Sequence, residues 1–232
     1  MATLYIVATP IGNLGDVTLR ALEILKGVDF IVAEDTRVTL KLLNHYGIKK
    51  PLISYFQHSK LSKVEYILDL LKQGRSLALV SDAGTPGVND PGGELIKEIV
   101  KKIGDKARIF PVPGPNAAIT ALSVSGFNAD RFLFLGYPPH KKGRKKFFAE
   151  IAESKYPVVF YESVHRILRT LKELDEVLSS FAKASDDASE CKVVVCRELT
   201  KKFETIYRGK ISEILFQIEK QKLGEFVVVI SR

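Results

Sequence analysis

Only two cysteines stand in the 232 residues, Cys191 and Cys196. Five apart in what reads as one strand, they point to opposite faces and close no local disulfide. They are expected as reduced thiols. No Cys-x-x-Cys occurs, and the four histidines (His45, His58, His140, His165) have none of the spacings that hold a metal, so no metal site is expected. The apolar runs fall far short of the roughly 18–20 residues that cross a bilayer. The amino terminus has no charged stretch followed by an apolar one, so a cytoplasmic protein without a membrane is the expectation. Also missing are the Gly-x-Gly-x-x-Gly of dinucleotide loops and the Gly-x-x-x-x-Gly-Lys of P-loops, which removes the main support for a nicotinamide or nucleoside triphosphate ligand. No internal repeat is visible.

What is present is 46% hydrophobic and 27% charged residues, enough core for one large or two ordinary domains. The stretch that organises the rest is 77–93, Leu-Ala-Leu-Val-Ser-Asp-Ala-Gly-Thr-Pro-Gly-Val-Asn-Asp-Pro-Gly-Gly. Leu77 to Val80 read as a strand buried on both faces, emptying into a Gly/Pro turn before a helix begins near Glu94. In an open α/β sheet, ligands sit where loops leave the carboxyl ends of strands, and glycines let them approach the backbone. A plain connection rarely needs Gly84, Pro86, Gly87, Pro91, Gly92 and Gly93 together, so a ligand-binding crossover is expected.

A first strand over 4–8 leads into Thr9-Pro10-Ile11-Gly12-Asn13-Leu14-Gly15-Asp16, where Asp16 is placed to cap a helix striped by Val17, Leu22 and Leu25. A second, 29–33, ends in Glu34-Asp35-Thr36-Arg37. Two acids and a cation there suit chemistry; Asp35 or Thr36 also suits capping the helix 38–45. Strand 52–56 leads to His58, a base or an ordinary loop histidine. Strand 108–112 runs into Pro113-Gly114-Pro115-Asn116-Ala117-Ala118, small enough for a flat ligand or for close packing. Five strands alternating with helices predict a parallel sheet in a first α/β domain, 1–115. Five further strands with fewer helices predict a mixed sheet in a second α/β domain, 116–232. The polar stretch 182–190 reads as a surface loop. Thirty-five Lys and Arg against 27 Asp and Glu leave +8, with five cations in Lys-Lys-Gly-Arg-Lys-Lys over 141–146.

The Gly/Pro loops at 9–16, 81–93 and 113–118 resemble the three glycine-containing segments of the tetrapyrrole methylase family, methyltransferases that use S-adenosylmethionine. Segments 8–16, 33–37 (Ala-Glu-Asp-Thr-Arg), 81–87 (Ser-Asp-Ala-Gly-Thr-Pro-Gly), 113–116, 161–166 (Tyr-Glu-Ser-Val-His-Arg) and 197–201 (Arg-Glu-Leu-Thr-Lys) resemble, within it, the branch that methylates small-subunit ribosomal RNA. The likeness spans nearly the whole chain. It implies a homodimer of two-domain chains with a cleft holding folded S-adenosylmethionine. The implied reaction methylates the 2′-hydroxyl of a cytidine in small-subunit ribosomal RNA, free or in the assembled small ribosomal subunit. By position, Asp82, Ala83, Gly84 and Val88 would line the cofactor, with Pro113, Ala117 and Ala118 facing it. Pro10 and Gly12 would form the floor, and Ser163 would reach in from the second domain.

A ribose hydroxyl is a poor nucleophile at neutral pH, so a carboxylate that orients or deprotonates it is expected: Glu34 or Asp35 beside Arg37, with His58 third. A neighbouring cation keeps a carboxylate charged but lowers its basicity. RNA phosphates are expected to meet Lys141, Lys142, Arg144, Lys145 and Lys146, with Gly143 keeping the run flexible, and a smaller cluster of Lys201 and Lys202. Tyr137 and His140 suit stacking on unpaired bases. Two rivals stay open: a methyltransferase for a tetrapyrrole-type small molecule or a protein side chain, and a non-catalytic RNA-binding protein whose glycine loops only build the fold.

Overall fold

The computed structural model of the chain describes residues 2–57, 59, 61–184, 191–220 and 223–231. His58, and residues 185–190 of the expected surface loop, lie outside the described residues. The chain divides into two compact units, Met1–Asn116 and Ala117–Arg232.

The first unit alternates strand and helix: β1 (Ala2–Val7), α1 (Leu19–Gly27), β2 (Phe30–Ala33), α2 (Thr36–His45), β3 (Leu52–Ser54), α3 (Leu61–Lys72), β4 (Ser76–Val80), α4 (Gly92–Ile103) and β5 (Ala107–Val112). The strands lie in the order β3-β2-β4-β1-β5, every neighbouring pair parallel, as the alternation predicts. Strand alternation explains the unbroken apolar run of β4. Leu77 and Leu79 join Leu4 under Ile67 and Leu71 of α3 and Leu95 and Ile99 of α4. Ala78 and Val80 join Val7 under Ala21 and Leu25 of α1 and Leu43 of α2. β4 therefore lies between β1 and β2 but sends its chain to the opposite face from theirs. Where neighbouring strands part like this, a crevice opens outside their carboxyl ends.

Asp16 does not cap α1. It ends a 3₁₀ turn over Leu14–Asp16, which Asn13 caps by accepting the Gly15 N–H at 3.0 Å. Thr18 caps α1 by accepting the Ala21 N–H at 3.1 Å. The expected stripe still faces the core: Ala21 and Leu25 are buried and Val17 and Leu22 pack partly buried against the same cluster, while Leu19 is 80% exposed.

The second unit runs α5 (Ala117–Ser123), β6 (Leu133–Phe134), α6 (Arg144–Glu153), β7 (Val158–Ser163), α7 (Ile167–Ala184), β8 (Lys192–Arg197), β9 (Thr205–Gly209), α8 (Ile211–Lys220) and β10 (Glu225–Ser231). The order is β6-β7-β10-β8-β9, with β6 and β7 parallel and the remaining pairs antiparallel, the mixed sheet that was expected. Val158, Phe160, Val195 and Val228 pack with Phe148, Leu171, Leu174 and Ile214 of α6, α7 and α8, while α5 packs against β7 and β10. Cys196 is buried in β8, where desolvation pushes its thiol up to about 11, and Cys191 is half-buried; neither is bridged. No helix among the described residues is long and apolar enough to cross a membrane.

The reassigned cap is testable by urea unfolding: Thr18→Ala should cost about 1 kcal/mol, and Asp16→Ala less than about 0.5 kcal/mol. The reverse order would restore Asp16 as the cap.

Candidate functional site

Three loops meet at the carboxyl edge of the parallel sheet. Just beyond β1 and β4, the Thr9 N–H donates to the Gly84 carbonyl at 2.9 Å and the Gly84 N–H to the Thr9 carbonyl at 3.0 Å, a short antiparallel bridge across the gap. The buried Thr9 hydroxyl adds a bond to the Ser81 carbonyl at 3.2 Å. The loop after β5 joins through the Thr85 hydroxyl, which donates to the Pro115 carbonyl at 3.1 Å. Gly84 makes the junction possible: its φ is +82°, and a side chain there would meet Ile11 at 3.4 Å and the Pro115 carbonyl at 3.6 Å. Around this buried glycine, Asp82, Ala83, Val88, Gly12 and Pro113 are exposed and Pro10 is half-buried.

On the other side of β4 the acids are sorted by environment. Asp82 and the end of β2 clasp each other: the Asp82 N–H donates to the Glu34 carboxylate, and the Asp35 N–H donates to Asp82 Oδ1 at 2.9 Å. Burial raises the half-buried Glu34 carboxyl above its ordinary range, the charges of Asp82, Asp90 and Asp35 add to this, and the Asp82 N–H opposes it. The cavity beside it, lined by Tyr55, Leu79, Pro86 and Asp90, holds only about 10 Å³, the scale of a single water. Asp90 closes the 81–93 loop by accepting the Gly87 and Gly92 N–H groups at 2.8 and 2.7 Å. A side chain at Gly92 would stand 2.8 Å from that carboxylate, so none fits.

Asp35 has the opposite fate. It caps α2 through the Arg37 N–H at 2.8 Å and receives the Arg37 guanidinium at 3.0 Å from Nε and 2.6 Å from Nη2. Those bonds hold its carboxyl down to about 2. Of the expected catalytic trio, Glu34 has its carboxyl pKa raised by burial, and Asp35 and Arg37 form an ion pair whose arginine is exposed.

In the second unit the Tyr161 hydroxyl accepts the Ala118 N–H at the start of α5. Ala117 is adjacent, and Ser163 shares Tyr161's side of β7. The Tyr161 ring meets Phe134 at 5.0 Å and Tyr137 at 5.5 Å between centroids. Beyond Tyr137, Lys141, Lys142, Lys145 and Lys146 are exposed. The run is not a flexible tether, because Gly143, with φ +91°, starts α6 and puts Lys145 and Lys146 in its first turn, which contains no acid.

Arg144 is not available to RNA. Only 5% exposed, it donates to Glu173 at 2.6 Å, to the Thr170 hydroxyl at 2.9 Å and to the Pro139 carbonyl at 3.0 Å. Lys201 is also engaged, pairing with Glu198 at 2.9 Å and Glu225 at 2.7 Å. Lys202 stays exposed, 5.7 Å from the centre of the Phe203 ring. The 197–201 motif is itself strained: Glu198 and Thr200 adopt φ of +52° and +66°, and the Thr200 hydroxyl is buried without a partner. Sequence reasoning missed Glu162, 1% exposed on β7, although alternation with Val158 and Phe160 places it on the core face. Among the described residues, no group of three or more His, Cys, Asp or Glu is placed to hold a metal.

The family model for tetrapyrrole (corrin/porphyrin) methylases matches residues 3–215. The chain is 43% identical over 232 residues to the ribosomal RNA small subunit methyltransferase I of Thermotoga maritima, covering 100% of this chain and 99% of that one. It is 45% identical over 231 residues to the protein of that name from Haemophilus influenzae, covering 98% of this chain and 77% of the relative. Among solved structures, cobalt precorrin-4 methyltransferase CbiF superposes with a TM-score of 0.70 at 16% identity, over 99% of this chain and 94% of that one. The methyltransferase CobJ gives 0.69 at 17%, over 100% and 95%. At these identities the structures speak for the fold alone.

Gly84→Ala places a Cβ on a left-handed backbone at the loop junction and should cost about 1–3 kcal/mol in urea unfolding. The exposed neighbour's Ala83→Ser should stay within about 0.5 kcal/mol. Equal effects would mean that the junction does not depend on Gly84.

Proposed function

The chain belongs to the tetrapyrrole methylase family, and from that premise we propose that it transfers a methyl group from S-adenosylmethionine to the 2′-hydroxyl of a cytidine in small-subunit ribosomal RNA. The observation that carries the substrate is the extent of the likeness: relatives named for the ribosomal RNA reaction match along the whole chain. The homodimer implied by the family, and the choice of the assembled subunit or free RNA as target, go with this reading.

The loop junction suits the donor, because small or backbone-rich residues surround it and Asp82 and Ala83 are exposed. Pro10, Gly12, Asp82, Ala83, Gly84, Val88 and Pro113 are assigned to it in the first unit, and Ala117, Ala118 and Ser163 in the second. When bound, S-adenosylmethionine supplies an electrophilic methyl group and departs as a neutral thioether, so no acid is needed at that end. The chain's own task is to position and to deprotonate. Glu34 takes the proton of the ribose hydroxyl, relayed by the single water its cavity has room for, as that oxygen gains the methyl group, then releases the proton to water. Its raised pKa makes it the better acceptor. Asp35, locked to Arg37, orients the hydroxyl.

Lys141, Lys142, Lys145, Lys146 and Lys202 hold phosphates, and the amino-terminal end of α6 adds its dipole to the same sign of field. Tyr137, 47% exposed, and His140 offer ring faces to unpaired bases. Arg144 and Lys201 have no part in that contact.

Glu34→Gln should lower kcat by about 10²–10⁴ while calorimetry finds S-adenosylmethionine affinity unchanged; a loss below about tenfold would remove Glu34 as the base. Because the base acts deprotonated, wild-type kcat/KM should rise with pH through the elevated Glu34 pKa, and the variant should lose that limb. Lys145→Glu with Lys146→Glu places acids in the first turn of α6, where the dipole favours them. Weakened RNA binding with full cofactor affinity is therefore the expected outcome and cannot be blamed on helix loss. Equal loss of both affinities would make the segment structural.

A further inference from the structure

The second unit contains a buried chain of charges that the proposed reaction does not use. The Glu162 carboxylate is 1% exposed, and both of its oxygens are engaged. Oε1 accepts the Ser163 N–H at 2.8 Å and Arg166 Nη2 at 2.9 Å, and Oε2 accepts the Thr170 hydroxyl at 2.6 Å. That hydroxyl in turn accepts Arg144 Nη2 at 2.9 Å. The two arginines at the ends of this chain reach consecutive carbonyls of one turn: Arg166 Nη1 donates to Pro138 at 2.9 Å and Arg144 Nη1 to Pro139 at 3.0 Å. Glu173 braces Arg144 from behind.

Buried ion networks seldom outperform apolar packing in stability, so their retention calls for another explanation. Here the explanation lies in what is gripped. The pairing of β6 and β7 extends only to Gly136, whose carbonyl accepts the Tyr161 N–H at 2.8 Å. Past that point Pro138 and Pro139 have no N–H to donate, so neither adds a backbone hydrogen bond that would hold the turn. We infer that Glu162 and Thr170, acting through Arg144 and Arg166, are positioning residues for RNA recognition, holding segment 136–142 in the shape that presents Tyr137, His140, Lys141 and Lys142 to the nucleic acid. Tyr137 fits this role: one side leans on the Tyr161 ring and the rest is open. The recognition role rests on the ribosomal RNA reading above; the clamp itself rests only on the bonds.

Thr170→Val keeps the volume and removes the hydroxyl that links Glu162 to Arg144, Thr170→Ser restores it, and Arg166→Lys loosens the Pro138 grip while keeping the charge against Glu162. Two readouts apply to each. Amide hydrogen exchange of the protein alone should rise within 136–142 in Thr170→Val and Arg166→Lys and return to the wild-type level in Thr170→Ser. With small-subunit RNA, the same two variants should raise KM roughly tenfold with kcat within about twofold, S-adenosylmethionine affinity being unchanged. Exchange that does not change within 136–142 overturns the clamp whatever the substrate. Raised exchange with an unchanged KM, or a fall in kcat alone, overturns the recognition role. A wild-type protein idle on small-subunit RNA overturns the substrate assignment and the recognition role with it, even where exchange rises.

Discussion

When a parallel strand lies between two neighbours whose chains both leave for the opposite face, its carboxyl end becomes an open gap lined with backbone groups that still need partners. β4 is in that position, and the pairing of Thr9 with Gly84 is how the chain meets the demand on one side. The bridge consumes a carbonyl and an N–H from each loop and requires a left-handed residue without a side chain. It draws in the third loop through Thr85 and Pro115. On the other side, the reciprocal clasp of Asp82 with Glu34 and Asp35 does the same work. The edge of the sheet is thus tied on both sides of β4, while Asp82 and Ala83 remain accessible between the ties.

That arrangement also separates two adjacent carboxylates. Glu34 points into a desolvated corner among other acids and binds its proton more tightly; Asp35 turns to its own helix and a guanidinium and gives its proton up. Proximity in sequence says nothing about such a division, because each carboxylate answers to the groups around it. In the second unit the same logic appears as burial with full compensation. Glu162 is buried with both oxygens engaged, shared among an N–H, a hydroxyl and a guanidinium.

Much of the architecture is legible in the chain because burial on both faces leaves an unbroken apolar run, as at Leu77–Val80, whereas strand edges shift by a residue or two: β1 begins before its apolar run and β3 stops at Ser54, short of the expected Phe56. The start of α1 is not legible, since Asp16 and Thr18 both have side chains that cap, and a 3₁₀ turn leaves no periodic trace. The convergence of the loops is announced by their glycines and prolines. Arg144 illustrates a signal overlooked: read as one of five neighbouring cations it looks exposed, but it stands on the same helical face as Phe147, Phe148 and Ile151, all buried. Lys201 is only half announced: Glu198 stands three residues before it, but its second partner, Glu225, arrives from a strand 24 residues away.

The proposed reaction leaves one chemical product, and nucleoside mass spectrometry identifies it directly. Purified protein incubated with small ribosomal subunits lacking the modification, and with S-adenosylmethionine bearing an isotopically labelled methyl group, should place that label on the ribose of a cytidine, recovered as 2′-O-methylcytidine. Label found on a base, or no label on the RNA while the protein binds the donor, would contradict it.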